Sequence, residues 1–144
     1  MRTVVVTGMG AVTPVGIGVA QMWDSLVNGR SGVRALSRLD TAGLQVKIAA
    51  QVEGFDAGVY IDRRDAKRMD RFTQYAVSAA RMAMDDAGLS NGREMVAPER
   101  VGVCFSAGLG GLETFEEQHS RLLERGPEWV SPYLIPMLIP NIAA

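Results

Sequence analysis

Residues 101–111, Val-Gly-Val-Cys-Phe-Ser-Ala-Gly-Leu-Gly-Gly, read as a strand that runs straight into a glycine-rich turn. Val101, Val103 and Phe105 alternate with small residues, the pattern of a strand buried in a sheet. Beyond the turn, Leu112, Phe115, His119, Leu122 and Leu123 fall along one side of a predicted helix from about Leu112 to Glu124, which Gly126-Pro127 ends. The same order opens the chain. Val4-Val5-Val6 is a continuous β-branched run ending at Thr7-Gly8, as in a parallel strand covered on both faces. Val19, Met22, Trp23, Leu26 and Val27 then recur at helical spacing before Asn28-Gly29 supplies a left-handed stop. Two strand-turn-helix units predict an α/β chain.

Between these units, residues 30–62 predict loop with one short strand near 46–52. Asp70 precedes a run in which Phe72, Tyr75-Ala76, Ala79-Ala80 and Ala83 keep one face apolar, and Gly88-Leu89 closes it in the manner of a Schellman motif. The alanine face of that helix permits close approach of another element. The apolar tail from Val130 to Ala144 is interrupted by Pro132, Pro136 and Pro140 and is too short to span a bilayer, so it is expected to pack against protein. The sequence stops inside a structural element and brings no nucleophile and base together. It is therefore expected to be an incomplete piece of a larger α/β enzyme, inactive by itself.

Composition excludes several classes. Of 144 residues, 47% are hydrophobic and 22% charged, with mean hydropathy +0.07, which suits a soluble globular protein and not a disordered one. A net charge of -1 supplies no field for nucleic acid or a membrane surface. Cys104 is the single cysteine and His119 the single histidine, so neither an internal disulfide nor a Cys/His metal site can form, and a reducing compartment is expected. Thr7, Gly8, Gly10 and Pro14 break any signal-peptide core, leaving the cytoplasm as the expected location.

Each motif has a bland reading and a functional one. Gly8-Met9-Gly10 after a strand suggests a dinucleotide site, but the third glycine of that fingerprint would fall at Thr13 and no acidic residue ends a second strand, so a tight turn is favoured. Gly108, Gly110 and Gly111 lack the lysine and hydroxyl of a phosphate-binding loop. Either their bare backbone faces a ligand, or they serve positive φ and close packing. Cys104 lies in an apolar run, where burial would raise its pKa and make it a packing residue. His119 reads as structural or surface. Arg63-Arg64-Asp65-Ala66-Lys67-Arg68 is the one basic cluster, either a solvated face or a dock for an acidic partner.

Four strings in order, V-V-V-T-G-M-G-A-V-T-P-V-G at 4–16, R-M-D-R-F-T-Q-Y-A at 68–76, V-G-V-C-F-S-A-G-L-G-G at 101–111 and S-P-Y-L-I-P-M-L-I-P-N at 131–141, closely resemble the β-ketoacyl-acyl carrier protein synthase II family of condensing enzymes. The resemblance implies a thiolase-like fold of α-β-α-β-α layers and a homodimer. Residues 1–144 correspond to the N-terminal part of the family's N-terminal domain, incomplete at its C-terminus. The family's nucleophilic cysteine, in a T-A-C-type motif, and its histidines and lysine lie beyond these strings. Cys104 does not take that role.

What the resemblance implies for this chain is the surroundings of the site. Gly108, Leu109, Gly110 and Gly111 match an acyl-pocket wall, with Leu109 gating it. Tyr133, Leu134 and Ile135 match a dimer interface that closes the partner's pocket, and Arg64, Lys67 and Arg68 match a carrier-protein docking surface. The implied activity of the whole protein is decarboxylative condensation of an acyl thioester with malonyl-acyl carrier protein in fatty acid biosynthesis. No cofactor or metal is implied. Two competing expectations are a non-catalytic relative, such as a chain-length partner subunit, and a nucleotide-binding oxidoreductase.

Overall fold

The structure, a computed structural model, describes residues 3–89 and 98–144. The chain divides into two compact units, one of Met1–Phe55 with Ala79–Gly88 and the other of Asp56–Ser78 with Leu89–Ala144.

In the first unit, β1 (Val12–Thr13) and β2 (Gly16–Ile17) form a short antiparallel hairpin across Pro14-Val15, with Val12 opposite Ile17. Thr13 Oγ1 donates to the Gly16 carbonyl at 2.8 Å and closes the turn. Helix α1 (Val19–Val27) follows directly and stops at Asn28, with Gly29 at φ 63 as its spacing predicts. β3 (Val33–Ala35) and β4 (Ile48–Ala50) pair antiparallel, Arg34 opposite Ala49. The predicted strand near 46–52 is therefore β4, and the sequence reading missed its partner β3, whose Val-Arg-Ala is too short to show a period.

Two further helices follow along the chain, α2 (Arg63–Ala66) in the second unit and α3 (Arg71–Asp86), the longest element, which begins in the second unit and ends in the first. Asp70 stands before α3 and Gly88, at φ 72, after it. The Ala79–Gly88 end belongs to the first unit, where the alanine face receives Gly8 and Gly10. A Cβ on Gly8 would collide with the Ala83 carbonyl and Ala87, and one on Gly10 with the Ala79 carbonyl and Met82. The Met9 amide donates to Asp86 Oδ2 at 2.9 Å. These glycines serve close packing against the C-terminal part of α3.

In the second unit, a single 3₁₀ turn (Ala57–Val59) leads to α2, the first part of α3, α4 (Leu112–Arg125), a 3₁₀ turn at Pro127–Trp129, α5 (Leu134–Leu138) and a last 3₁₀ turn at Pro140–Ala143. Ile61 and Ala76 are buried, together with Asp70, Thr73, Ser78, Thr114 and Gln118.

The strand readings and the Cys104 reading are corrected. The runs Val4-Val5-Val6 and Val101–Phe105 are not buried strands: among the described residues the only ladders are the β1–β2 and β3–β4 pairs, and Val4 is 94% exposed. A strand exists only with a partner, and β-branched composition alone cannot provide one. Cys104 is consequently exposed and not a packing residue. On α4, whose sequence pattern left open which side is covered, the apolar stripe faces outward, with Leu112, Phe115, Leu122 and Leu123 exposed, while Thr114 and Gln118 are buried. Among the described residues no helix is long and apolar enough to cross a membrane.

Candidate functional site

The residues singled out by sequence, apart from Gly8 and Gly10, fall in the second unit, and their positions can be built from short-range bonds. Asp62 caps α2 by accepting from the Arg64 amide at 2.8 Å, and the Lys67 amide returns to the Arg63 carbonyl. So short a helix cannot sustain itself, because its few backbone bonds do not offset the ordering of a turn. Gln74 of α3 supplies the missing support. Its Nε2 donates to the carbonyls of Ala66 at 2.9 Å and Met69 at 3.0 Å, at the end of α2 and in the turn after it.

Asp70 is 8% exposed and works in two directions. Oδ1 accepts from the Phe72 amide at 3.3 Å, capping α3, and Oδ2 accepts from Thr114 Oγ1 of α4. A buried carboxylate left without donors would cost on the order of several kcal/mol, so this pairing also fixes the distance between the two helices. Gln118, one turn further along α4, accepts from the Ser131 amide at 2.7 Å through Oε1. Thr114 and Gln118 thus form an i, i+4 pair of inward polar anchors.

The cations divide. Arg64, Lys67 and Arg68 are all exposed. The Arg68 guanidinium lies 5.0 Å from the centroid of the Tyr133 ring, a cation–π contact. Among the described residues no ion pair engages Arg64 or Lys67.

The glycine turn divides as well. Gly110 is at φ 72, and a Cβ there would strike the Leu138 carbonyl; Gly111 is buried and a Cβ would strike the Met137 carbonyl. The Gly111 amide donates to the Leu138 carbonyl at 3.2 Å, and the Phe115 amide to the Gly111 carbonyl at 2.9 Å. Close backbone packing alone therefore requires glycine at these two positions, whatever else the turn faces. Gly108 has open space where a Cβ would stand and Leu109 is 74% exposed, so the front of the turn is free.

The fold therefore joins Arg68 to Tyr133, and Gly110 and Gly111 to the C-terminal end of the helix that Leu134 and Ile135 begin. Among the described residues no hydrogen bond joins Arg64 or Lys67 to the Gly108–Leu109 edge. Leu134 is half-buried and Ile135 exposed. A shallow depression beside Arg68 is lined by Asp65, Met69, Thr73, Pro136 and Ile142, and the buried Thr73 hydroxyl has no partner among the described residues. His119 is exposed and stacks on Phe115 with 5.9 Å between centroids, the surface position its sequence context suggests. Sequence reading missed Gln74, Thr114 and Gln118; the only signal was their spacing, which patterning by hydrophobicity assigns to the solvent side.

Comparison with known proteins extends these observations. The family model described as "Beta-ketoacyl synthase, N-terminal domain" matches residues 1–144. The chain is 43% identical over 142 residues to 3-oxoacyl-[acyl-carrier-protein] synthase 2 of Staphylococcus aureus (strain COL), covering 99% of this chain and 34% of that protein. Among solved structures, a beta-ketoacyl synthase from Burkholderia phymatum STM815 superimposes with TM-score 0.79 and 30% identity, covering 100% of this chain and 35% of that one. The ishigamide ketosynthase/chain length factor gives TM-score 0.73 and 33% identity over 94% of this chain and 33% of its own. The chain thus spans about a third of the length of the relatives it matches, 34% for the curated synthase.

Proposed function

The chain belongs to the β-ketoacyl synthase family, with its thiolase-like fold, and from that premise we propose that it is the N-terminal part of a longer condensing enzyme that extends acyl chains in fatty acid biosynthesis. The reading is carried by one observation, the match of the family's N-terminal domain along residues 1–144.

In the proposed reaction, a cysteine thiolate outside these residues takes the acyl group from its thioester and releases the carrier's thiol. Malonyl-carrier protein then loses carbon dioxide to leave an enolate, whose carbon attacks the acyl-enzyme thioester and expels the thiolate. The product is a 3-oxoacyl thioester, longer than the starting acyl group by the malonyl carbons that remain after carbon dioxide departs. Each step needs donors for a developing oxyanion and a dry apolar tunnel. Residues 1–144 would contribute surroundings: Gly108–Gly111 as acyl-pocket wall with exposed Leu109 at its front, and Tyr133, Leu134 and Ile135 as the contact of a homodimer. Arg64, Lys67 and Arg68 would meet an acidic acyl carrier protein, where opposite charge raises the rate of encounter. The cytoplasm is the expected location, and the chemistry requires no cofactor.

Assay of the full-length protein for 3-oxoacyl product from acyl- and malonyl-carrier protein tests the activity. Reversal of charge at Arg64 and Lys67 is expected to raise the KM for carrier-borne substrate by about tenfold or more at low salt, the size of effect that electrostatic steering supports. An unchanged KM would reject the docking surface.

The similarity to a ketosynthase/chain length factor at 33% identity favours one second reading, a non-catalytic partner subunit. Incubating the full-length protein with a labelled acyl thioester separates the two. Covalent acylation supports the synthase; a purified protein that stays unlabelled and is active only beside a second subunit supports the partner.

A further inference from the structure

The cations proposed to dock a carrier sit on a segment that has little means of holding its own shape. Arg64 lies in the four-residue helix α2, and Lys67 is its C-cap. Contacts from other elements hold this segment. Gln74 of α3 donates to the carbonyls of Ala66 and Met69, the α3 cap Asp70 accepts from Thr114 of α4, and Arg68 lies over the ring of Tyr133. Apart from Arg68, none of the groups that do the holding belongs to the basic cluster, and Asp70 and Thr114 are buried where no partner could touch them.

We propose that Gln74, Asp70 and Thr114 are positioning residues of the carrier-docking surface, which set the orientation of Arg64 and Lys67 while Arg68 is committed to Tyr133. This rests on the docking reading given above and adds a division of labour to it. Arg64 and Lys67, without ion-pair partners among the described residues, offer their charge to the carrier. Arg68 serves mainly to hold the segment against the residue that precedes α5. Long-range attraction depends on net charge and tolerates a loose segment, but a docked complex needs its cations at fixed places, since each immobilised long side chain costs rotamer freedom on binding. A patch already fixed by buried neighbours loses less of that freedom.

The test uses the full-length protein and a ratio: the KM for an acyl group on its carrier protein divided by the KM for the same acyl group on coenzyme A, which lacks the carrier's acidic surface. Thr114→Val removes the hydroxyl and keeps the shape, and Gln74→Met removes the amide donors at similar length. Both are expected to raise the ratio by about three- to tenfold, the consequence of losing one hydrogen bond at Thr114 or two at Gln74 that order the bound state. Thr114→Ser is expected to restore it. A merely structural role would raise both KM values together and leave the ratio alone. Should Thr114→Val fail to fold, Gln74→Met decides by itself, because it leaves the Asp70 pair intact. The proposal is overturned if the ratio stays put in these variants while Lys67→Glu raises it. If Lys67→Glu leaves the ratio unmoved as well, the docking reading is what fails, and the positioning role falls with it.

Discussion

Gly88 and Gly111 show why two glycines differ in what they tolerate. Gly88 is at φ 72 with open space where a Cβ would stand, so the cost of a side chain there is conformational alone. Gly88→Ala is expected to cost about 1–2 kcal/mol, with Gly88→Asn recovering much of it, because asparagine enters the left-handed region more readily. Gly111 has an ordinary negative φ of -81, but its Cβ would meet the Met137 carbonyl, which is backbone and cannot rotate aside. Gly111→Ala should cost about 1–3 kcal/mol, and Gly111→Asn more rather than less. Chemical denaturation of the four variants, made in the full-length protein, checks this; an asparagine that rescues position 111 would refute the steric account. The first glycine was legible in the sequence, since a helix stop is a local event. The second was not, because the carbonyl it meets lies far along the chain, beyond the whole of α4.

Among the elements, α1, α3 and α4 were readable from capping and breaking residues, Asn28-Gly29, Asp70, Gly88 and Gly126-Pro127 marking ends that the structure places within a residue or two, whereas the short α2 and α5 were not. Their orientation was not readable. Hydrophobic spacing put Leu112, Phe115, Leu122 and Leu123 along one side of α4, and the structure leaves that side exposed, whereas Thr114 and Gln118 are the buried pair, each satisfied by a specific bond to another element. Periodicity reports that a helix has two faces and leaves open which face its neighbours cover. The bond from the Ser131 amide to Gln118 ties the tail to α4 across the turn at Pro127–Trp129. Gln118→Leu is therefore expected to speed limited proteolysis within residues 126–133 several-fold, while Leu123→Gln leaves it unaffected. Equal cleavage in the two variants would show that the tail is held by something else. The basic cluster was likewise visible as charge, but the residues that brace its segment, Gln74 and Thr114, carry no charge and stand apart from it in sequence.

At the scale of the whole molecule, the exposed apolar side chains decide the stability. Burying a side chain such as Val, Leu or Phe is worth about 1.5–3 kcal/mol, and folded domains keep a margin of only about 5–15 kcal/mol. In this chain Val4, Val6, Val103, Leu109 and Leu123 all stand in solvent, while Ile61 and Ala76 are the buried apolar residues among those described. The stabilisation forgone at those exposed positions is comparable with the whole margin. The 144-residue polypeptide is accordingly expected to self-associate, to bind an apolar dye strongly and to form no 3-oxoacyl product. Sedimentation, dye fluorescence and the condensation assay check these together; a monodisperse monomer with a cooperative unfolding transition would contradict the argument. The inward polar anchors of α4 then have a practical use for protein engineering. Because Thr114 and Gln118 attach that helix, its outward leucines can be exchanged for glutamate or lysine to make a soluble version of this region for antibody production or spectroscopy, with the attachment left as nature wrote it.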